Sequence, residues 1–184
     1  NFPAEFIAEG IDQTRGWFYT LLVLSTALFD KPAYKNVIVN GIILAENGEK
    51  MSKRLKNYPD PMEIVDKYGA DALRYYLLSS PAVRGEDLNF SEKGVDEVYK
   101  KVISRLWNVY KFYELYADEK VSGAKCQVSG IKYQVSSKNV LDKWILARLE
   151  EFKMEVSKWL DKYELDKAAR PISDFVDDLS TWYI

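Results

Sequence analysis

The run Val37-Ile38-Val39-Asn40-Gly41-Ile42-Ile43-Leu44, followed past an Asn47-Gly48 turn by Lys50-Met51-Ser52-Lys53-Arg54, sets the architecture of this chain. Continuous β-branched apolar residues suit a strand buried on both faces, as in a parallel sheet. Asn47-Gly48 is turn chemistry. Beyond it, Lys50 and Lys53 place two ammonium groups three residues apart, a spacing that lets both sit on one polyphosphate and follow its charge as it shifts. Met51 is an apolar residue in a loop that otherwise belongs in water, which suggests that the loop docks onto something. The plainer alternative is a solvated basic surface turn made of Lys53, Arg54 and Lys56.

Working outward, Ala4–Gly10 is short, apolar-rich and ends in glycine, the pattern of a strand leading into a functional turn. Thr14 to Phe29 has helical length and composition, and Asp30-Lys31-Pro32 stops it. Strand, helix, strand and loop in that order make a Rossmann-like half. Downstream the chain turns helical. Asp60-Pro61-Met62-Glu63 carries a capping acid, an N1 proline and a reciprocal Glu; Gly69 ends that helix, and Asp71 to Ser79 makes another, stopped by Pro81. Residues 82–90 read as loop, with Leu88 to Phe90 a short strand.

Ser91 caps the next helix, with an apolar stripe at Val95, Val98, Val102, Leu106, Val109 and Tyr113. Residues 118–139 read as a loop. A long helix follows, striped at Leu141, Ile145, Leu149, Phe152, Val156, Trp159 and Tyr163. A last one carries Ala168, Ile172, Phe175, Leu179 and Trp182 and bends near Pro171. Successive amphipathic helices predict a bundle. The predicted fold class is therefore α/β passing into an all-α helical bundle, without internal repeats.

The bulk properties bound the function. The 184 residues are 47% hydrophobic and 14% aromatic, enough for a sizeable core. A net charge of -2 and a pI near 5.4 argue against generic charge-driven nucleic-acid binding, so such a partner must be met by local patches. The single cysteine, Cys126, excludes an internal disulfide and fits a reducing compartment. Histidine is absent, which removes imidazole bases, His-containing triads and His-ligated metals. The longest apolar run, Trp17 to Phe29, is too short to span a bilayer. Without an initiator methionine, and with a helical pattern running to Ile184, the sequence reads as an excerpt of a longer polypeptide.

Glu9-Gly10-Ile11-Asp12-Gln13-Thr14-Arg15-Gly16-Trp17-Phe18 is dense in polar groups for a strand-to-helix junction. Gly10 permits close backbone approach to a ligand. Glu9 and Asp12 can accept from ribose hydroxyls or an ammonium, Gln13 can do both, and Trp17 supplies a rigid apolar wall. Crevices outside the carboxyl ends of parallel strands are where α/β sheets bind nucleotides. The alternative is structural: Asp12 and Gln13 cap a helix and Trp17 is core.

Lys50-Met51-Ser52-Lys53-Arg54 resembles the second signature of the class I aminoacyl-tRNA synthetases, and Glu9 to Phe18 is similar to that segment in the isoleucine-specific branch of the family. Further resemblance lies in Asn57 to Pro61, Tyr68 to Arg74, Lys143-Trp144-Ile145-Leu146 and Leu179-Ser180-Thr181-Trp182-Tyr183, the last two similar to anticodon-binding helices. It is weakest between 118 and 139. The resemblance implies that Glu9, Gly10 and Asp12 hold the aminoacyl-adenylate, mainly its ribose; that Gln13 lies near the amino-acid ammonium; and that Trp17 lines the isoleucine pocket. Gly41 would pack close to adenine, assisted by backbone groups of Ile42 and Ile43, with Asn40 standing where many relatives have histidine. Lys50 and Lys53 would contact the phosphates and act catalytically, and Arg54 replaces a common serine.

The implied enzyme is a ligase that activates isoleucine with ATP and transfers it to tRNA(Ile), with magnesium accompanying ATP and no metal site in this chain. It would be cytoplasmic and free of the membrane. The implied division is 1–58 for the second half of the catalytic domain, 59–90 for a stem-contact segment, and 91–184 for the start of a helical anticodon-binding domain. The family's histidine-containing first signature is not in this chain, so the 184 residues alone are expected to be inactive without the N-terminal half. The alternative function is a non-catalytic tRNA-binding helical module, with Lys100, Lys101, Arg105 and Lys111 as a basic side and Tyr110, Tyr113 and Tyr116 facing bases. A kinase-like reading lacks a glycine-rich phosphate loop.

Overall fold

The computed structural model describes residues 2–116 and 139–184, so Cys126 and nearly all of the 118–139 loop lie outside the described residues. Strand β1 (Ala4–Gly10) leads through a 3-10 turn (Ile11–Arg15) into helix α1 (Trp17–Phe29), which returns to strand β2 (Tyr34–Asn40). The two strands pair in parallel, from Ala4 opposite Tyr34 to Gly10 opposite Asn40. Helix α1 starts later than its composition predicts because Asp12 to Arg15 are drawn into the 3-10 turn. It ends where Asp30 adopts the left-handed conformation at φ 51° and donates its N–H to the Thr26 carbonyl.

The apolar run from Val37 to Leu44 does not form one strand. It breaks at Asn40-Gly41, and its second half, β3 (Ile43–Leu44), pairs in parallel with β4 (Leu88–Asn89) in a separate two-stranded sheet. The break is steric: any Cβ at Gly41 would run into the Glu86 carbonyl, and the Gly41 N–H donates to the Ala82 carbonyl (2.7 Å). Nor is β2 buried on both faces: Ile38 is buried while Val37 is 44% exposed.

Helix α2 (Pro61–Tyr68) begins as its sequence dictates, with the Asp60 carboxylate accepting from the Met62 N–H (2.8 Å) and Pro61 at the first position. Gly69, at φ 85°, separates it from α3 (Ala70–Leu78). A 3-10 turn (Pro81–Arg84) follows, capped by the Ser80 hydroxyl, and leads to β4. Ile64, Ala72, Phe90 and Val95 form the core here, and Ile43 and Met51 pack against it. Each large apolar side chain so buried contributes about 1.5–3 kcal/mol. Tyr76 meets Phe90 edge-on at 5.8 Å, and its hydroxyl accepts from the Ser91 N–H.

Helices α4 (Glu92–Val98) and α5 (Ser104–Tyr116) are continuous through a π-helical turn, Tyr99–Ile103. Ser91 occupies the N-cap position but its side chain makes no capping bond. The π turn inserts an extra residue into the helical repeat and rotates everything after it. Val95 and Val102 are therefore buried as expected, whereas Leu106 and Tyr113 turn outward. Helix α6 (Val140–Leu160), capped by Asn139, packs on α8 (Pro171–Asp178), with Phe152 stacked on Phe175 at 5.0 Å. Short α7 (Leu165–Ala169) lies between them, and the break falls before Pro171 as proline requires. A second π turn, Leu179–Tyr183, leaves Trp182 exposed and lets the Tyr183 hydroxyl donate to Asp142 (3.1 Å).

Candidate active site: the strand-end crevice and the lysine loop

Because Gly10 is registered opposite Asn40, the carboxyl ends of β1 and β2 bring the Glu9–Gln13 turn beside Asn40 and Gly41. The polar side chains of this turn are ordered by one another. The Gln13 amide donates to the Asp12 carboxylate (3.0 Å) and its carbonyl accepts from the Trp17 N–H (3.0 Å), so Gln13 caps α1. A Cβ at Gly10 would lie 2.6 Å from Asp12 Oδ1, and one at Gly16 2.8 Å from Gln13 Oε1, so a side chain at either position would displace these polar groups. The Glu9 carboxylate accepts from the Gly10 N–H (3.2 Å). Trp17 is half exposed rather than core, which leaves its ring as a wall beside the turn.

A second loop grips the end of β2. Besides the Gly41 bond, the Ile42 N–H donates to Asp87 Oδ1 (3.0 Å) and the Leu88 N–H to the Ile42 carbonyl (3.0 Å). Residues 80–88 thus hold the backbone of 41–42 from one side. Nothing in the sequence spacing marks Glu86 and Asp87 for this; the contact spans 45 residues.

The lysine loop springs from β3. Leu44 bridges antiparallel to Lys50, the Ala45 N–H donates to the Glu49 carbonyl, and Gly48 takes φ 80° in the turn between. Met51 does dock: it lines a small apolar cavity of about 180 Å³ with Ile43, Tyr58, Ile64, Leu73 and Phe90. Asn57 then closes the loop on itself. Its side-chain oxygen accepts from the Ser52 N–H (2.8 Å) and its amide donates to the Lys50 carbonyl (3.1 Å), one bond on each side of Met51. The Ser52 carbonyl accepts from the N–H groups of Leu55 and Lys56, and Lys56 takes the left-handed conformation at φ 48°.

The loop's cations differ from most of those on the helices. Lys67, Lys100, Lys101, Lys111, Lys153 and Lys167 all pair with carboxylates, and Arg105 pairs with Asp177. Among the described residues Lys50, Lys53, Arg54 and Lys56 form no ion pair, and Lys53 and Lys56 line an open groove with Tyr58, Asp60 and Glu63. Unpaired ammonium groups on a loop whose base is fixed are free to meet an anion. Glu9, Gly10, Asp12, Gln13 and Gly41 are brought together by the first sheet. Lys50 and Lys53 stand on the second, joined to it through residues 41–44. Asn57, the residue that shapes the loop, carries one sequence signal: a side chain able to donate and accept at once, close behind the lysines.

No helix among the described residues is long and apolar enough to cross a membrane, and those residues gather no group of three or more acidic or thiol side chains around one point.

Residues 1–91 match the family of class I tRNA synthetases for isoleucine, leucine, methionine and valine, and residues 142–184 match the anticodon-binding domain of tRNA ligases. The chain is 54% identical over its whole length to an isoleucine–tRNA ligase of Protochlamydia amoebophila. It is 52% identical to a probable cytoplasmic isoleucine–tRNA ligase of Dictyostelium discoideum. In both cases it spans 17% of the relative's length. Among solved structures, 96% of the chain superposes with TM-score 0.70 and 21% identity on 23% of a leucyl-tRNA synthetase of Agrobacterium radiobacter, in complex with tRNA and LeuAMS, a likeness of fold alone.

Proposed function

The chain belongs to the isoleucyl-tRNA synthetase family, within class I, and from that premise we propose that it supplies the phosphate-handling half of an isoleucine-activating site. The observation that carries this reading is the pair of unpaired lysines, Lys50 and Lys53, on a loop clamped by Asn57 and anchored through Met51. The intact enzyme joins isoleucine to ATP: the amino-acid carboxylate attacks the α-phosphate, the bond to the bridging oxygen breaks, and pyrophosphate leaves with its extra negative charge. The protein supplies no nucleophile for this. It aligns the reactants and stabilises charge on the leaving group.

Lys53 and Lys50 are the cations for that charge, with contacts that strengthen as the bond breaks. Glu9, Gly10 and Asp12 hold the adenylate's ribose, Gln13 faces the amino-acid ammonium, and Trp17 walls the isoleucine side chain. Gly41 lets adenine approach the backbone. The aminoacyl group is then passed to tRNA(Ile). Residues 1–58 belong to the catalytic domain, 59–90 to a stem-contact segment and 91–184 to the anticodon-binding domain, in a cytoplasmic protein. On α5 the exposed rings of Tyr110, Tyr113 and Tyr116 suit RNA better than the neighbouring lysines, whose charge is already met by carboxylates.

Isoleucine-dependent ATP–pyrophosphate exchange by the intact synthetase tests the assignment. Lys53→Ala is expected to lower the exchange rate by about 100-fold or more while leaving the KM for isoleucine within about threefold. Equal losses in both would remove Lys53 from the transition state.

A further inference from the structure

Asp166 is completely buried, yet neither of its carboxylate oxygens makes a hydrogen bond. Two guanidinium groups compensate its charge instead. Arg170 Nη2, one turn along, lies 3.0 Å from Oδ2, and Arg84 Nε approaches the same oxygen at 3.6 Å from a region 82 residues earlier in the chain. A buried carboxylate without such partners is strongly unfavourable, so α7 seats with Arg170 and Arg84 both turned toward Asp166.

Arg84 closes the 3-10 turn whose Ala82 carbonyl accepts from Gly41 N–H. It also leans toward Glu86 (3.6 Å), the residue whose carbonyl blocks any side chain at Gly41. Asp87, next in line, holds the Ile42 N–H. The α6–α7 turn makes a second, separate contact with the catalytic part: Tyr163, held in the left-handed conformation at φ 58°, packs its ring 5.4 Å from Phe6 of β1. That conformation is the one a helix end requires there: the Tyr163 N–H donates to the Leu160 carbonyl and the Glu164 N–H to the Trp159 carbonyl. In the part matching anticodon-binding domains, Tyr163 of the α6–α7 turn thus meets β1, and Asp166 of α7 meets the loop that grips the end of β2.

We infer that Asp166 and Arg84 are positioning residues for the activation step: through them α7 of the anticodon-binding part fixes the 80–88 loop, and with it the backbone of Gly41 and Ile42 at the adenine site. This rests on the reading of Gly41 as the adenine contact. The chain of contacts is Asp166 to Arg84, Arg84 to the Ala82–Asp87 backbone, and that backbone to Gly41 and Ile42. Loss of the first link leaves the lysines and isoleucine pocket untouched but lets the adenine segment shift.

The test uses isoleucine-dependent ATP–pyrophosphate exchange by the intact synthetase, with ATP and isoleucine varied separately and active sites counted by single-turnover adenylate formation. Asp166→Asn and Arg84→Gln are each expected to raise the KM for ATP about tenfold per active site, with the KM for isoleucine within about twofold. The double variant is expected to be no worse than the worse single one, as for two residues acting through one contact. A purely structural role would reduce the number of active sites while the survivors kept the parent KM for ATP; that result, or additive losses in the double variant, overturns the inference. If Asp166→Asn does not fold, Arg84→Gln decides alone, because that side chain is 42% exposed and its removal leaves Asp166 paired with Arg170. Gly41→Ala separates the two readings. If it leaves the KM for ATP unchanged, the adenine assignment fails and the coupling falls with it; if it raises that KM while the Asp166 and Arg84 variants are silent, only the coupling falls.

Discussion

Asn57→Ala removes the side chain that ties Lys50 to Ser52, and its consequence can be worked from the two bonds lost. These are 2.8 and 3.1 Å long and lie on a half-buried side chain. A protein hydrogen bond of this kind contributes about 0.5–1.5 kcal/mol net, and the partial exposure points to the lower half of that range. The pair together then stabilises the folded-back loop by about 1–2 kcal/mol, or roughly 5- to 30-fold in its population. Met51 still holds the loop to its cavity, so the loop frays rather than detaches. On the role proposed for Lys50 and Lys53, holding charge that develops only as pyrophosphate leaves, the loss is expected in kcat for adenylate formation, about 5- to 30-fold, with little change in the KM for isoleucine. Asn57→Asp keeps an acceptor for the Ser52 N–H but loses the donor to the Lys50 carbonyl, and is expected to retain part of the rate. Single-turnover adenylate formation by the intact synthetase measures both. A kcat for Asn57→Ala within about twofold of the parent, at unchanged thermal stability, would refute the clamp.

Three further outcomes are expected. Hydrogen bonds from Lys67 and then Tyr68 hold the Glu92 carboxyl below its ordinary value of 4.5, so it contributes stability above that pH and loses it as the pH falls through the depressed value; the midpoint difference between parent and Glu92→Gln should be present at pH 7 and close in acid, and a pH-independent difference would contradict the pairing. Arg148 joins α6 to α8 through two contacts with Asp178, at 2.9 and 2.8 Å, so Arg148→Ala is expected to destabilise that helix pair by about 1 kcal/mol, read as faster hydrogen exchange in α8, with no change in exchange in α2. The 184-residue chain by itself is expected to give no isoleucine-dependent pyrophosphate exchange, since it lacks any histidine-containing signature; measurable exchange would mean that the lysine half suffices.

What could be read from the sequence, and what could not, divides along the range of the interactions. Elements specified locally came through: the β1 strand with its terminal glycine, the Asp60-Pro61 helix start, the Gly69 stop and the break before Pro171 all rest on residues within a turn of one another. The stripes on the helices failed where a π turn changed the period. Val95 and Val102 fit a 3.6-residue repeat, but Tyr99–Ile103 adds a residue, so Leu106 and Tyr113 point outward; Leu179–Tyr183 does the same to Trp182. A π turn has no sequence signature of its own. The split of Val37–Leu44 into two sheets was hidden for another reason. Gly41 is legible as a place of close approach, but what approaches, the Glu86 carbonyl, is set by tertiary packing. Most candidate site residues could be singled out because they cluster in two short segments, whereas Asp87 and Arg84 meet backbone or charge far away in the chain and look like ordinary surface polar groups.

Among the described residues, helix α1 presents an open apolar surface next to the candidate site. None of its thirteen residues is charged, and a helix apolar all round belongs in an interior. Yet only Phe18 and Ser25 are buried, while Leu24, Leu28 and Phe29 stay more than half exposed. Exposed apolar area on this scale marks a surface made to be covered. Its position matters for function: α1 begins at Trp17, directly after the Glu9–Gln13 turn, and Gln13 caps it. Whatever packs on the first turn of α1 also stands beside the Glu9–Gln13 turn. The relatives matched over their whole homologous stretch are nearly six times longer than this chain, and they have sequence to spare for such a cover. A cover on that end of the helix would thus also border the candidate crevice, which ties an apolar helix with no functional group of its own to the site proposed beside it.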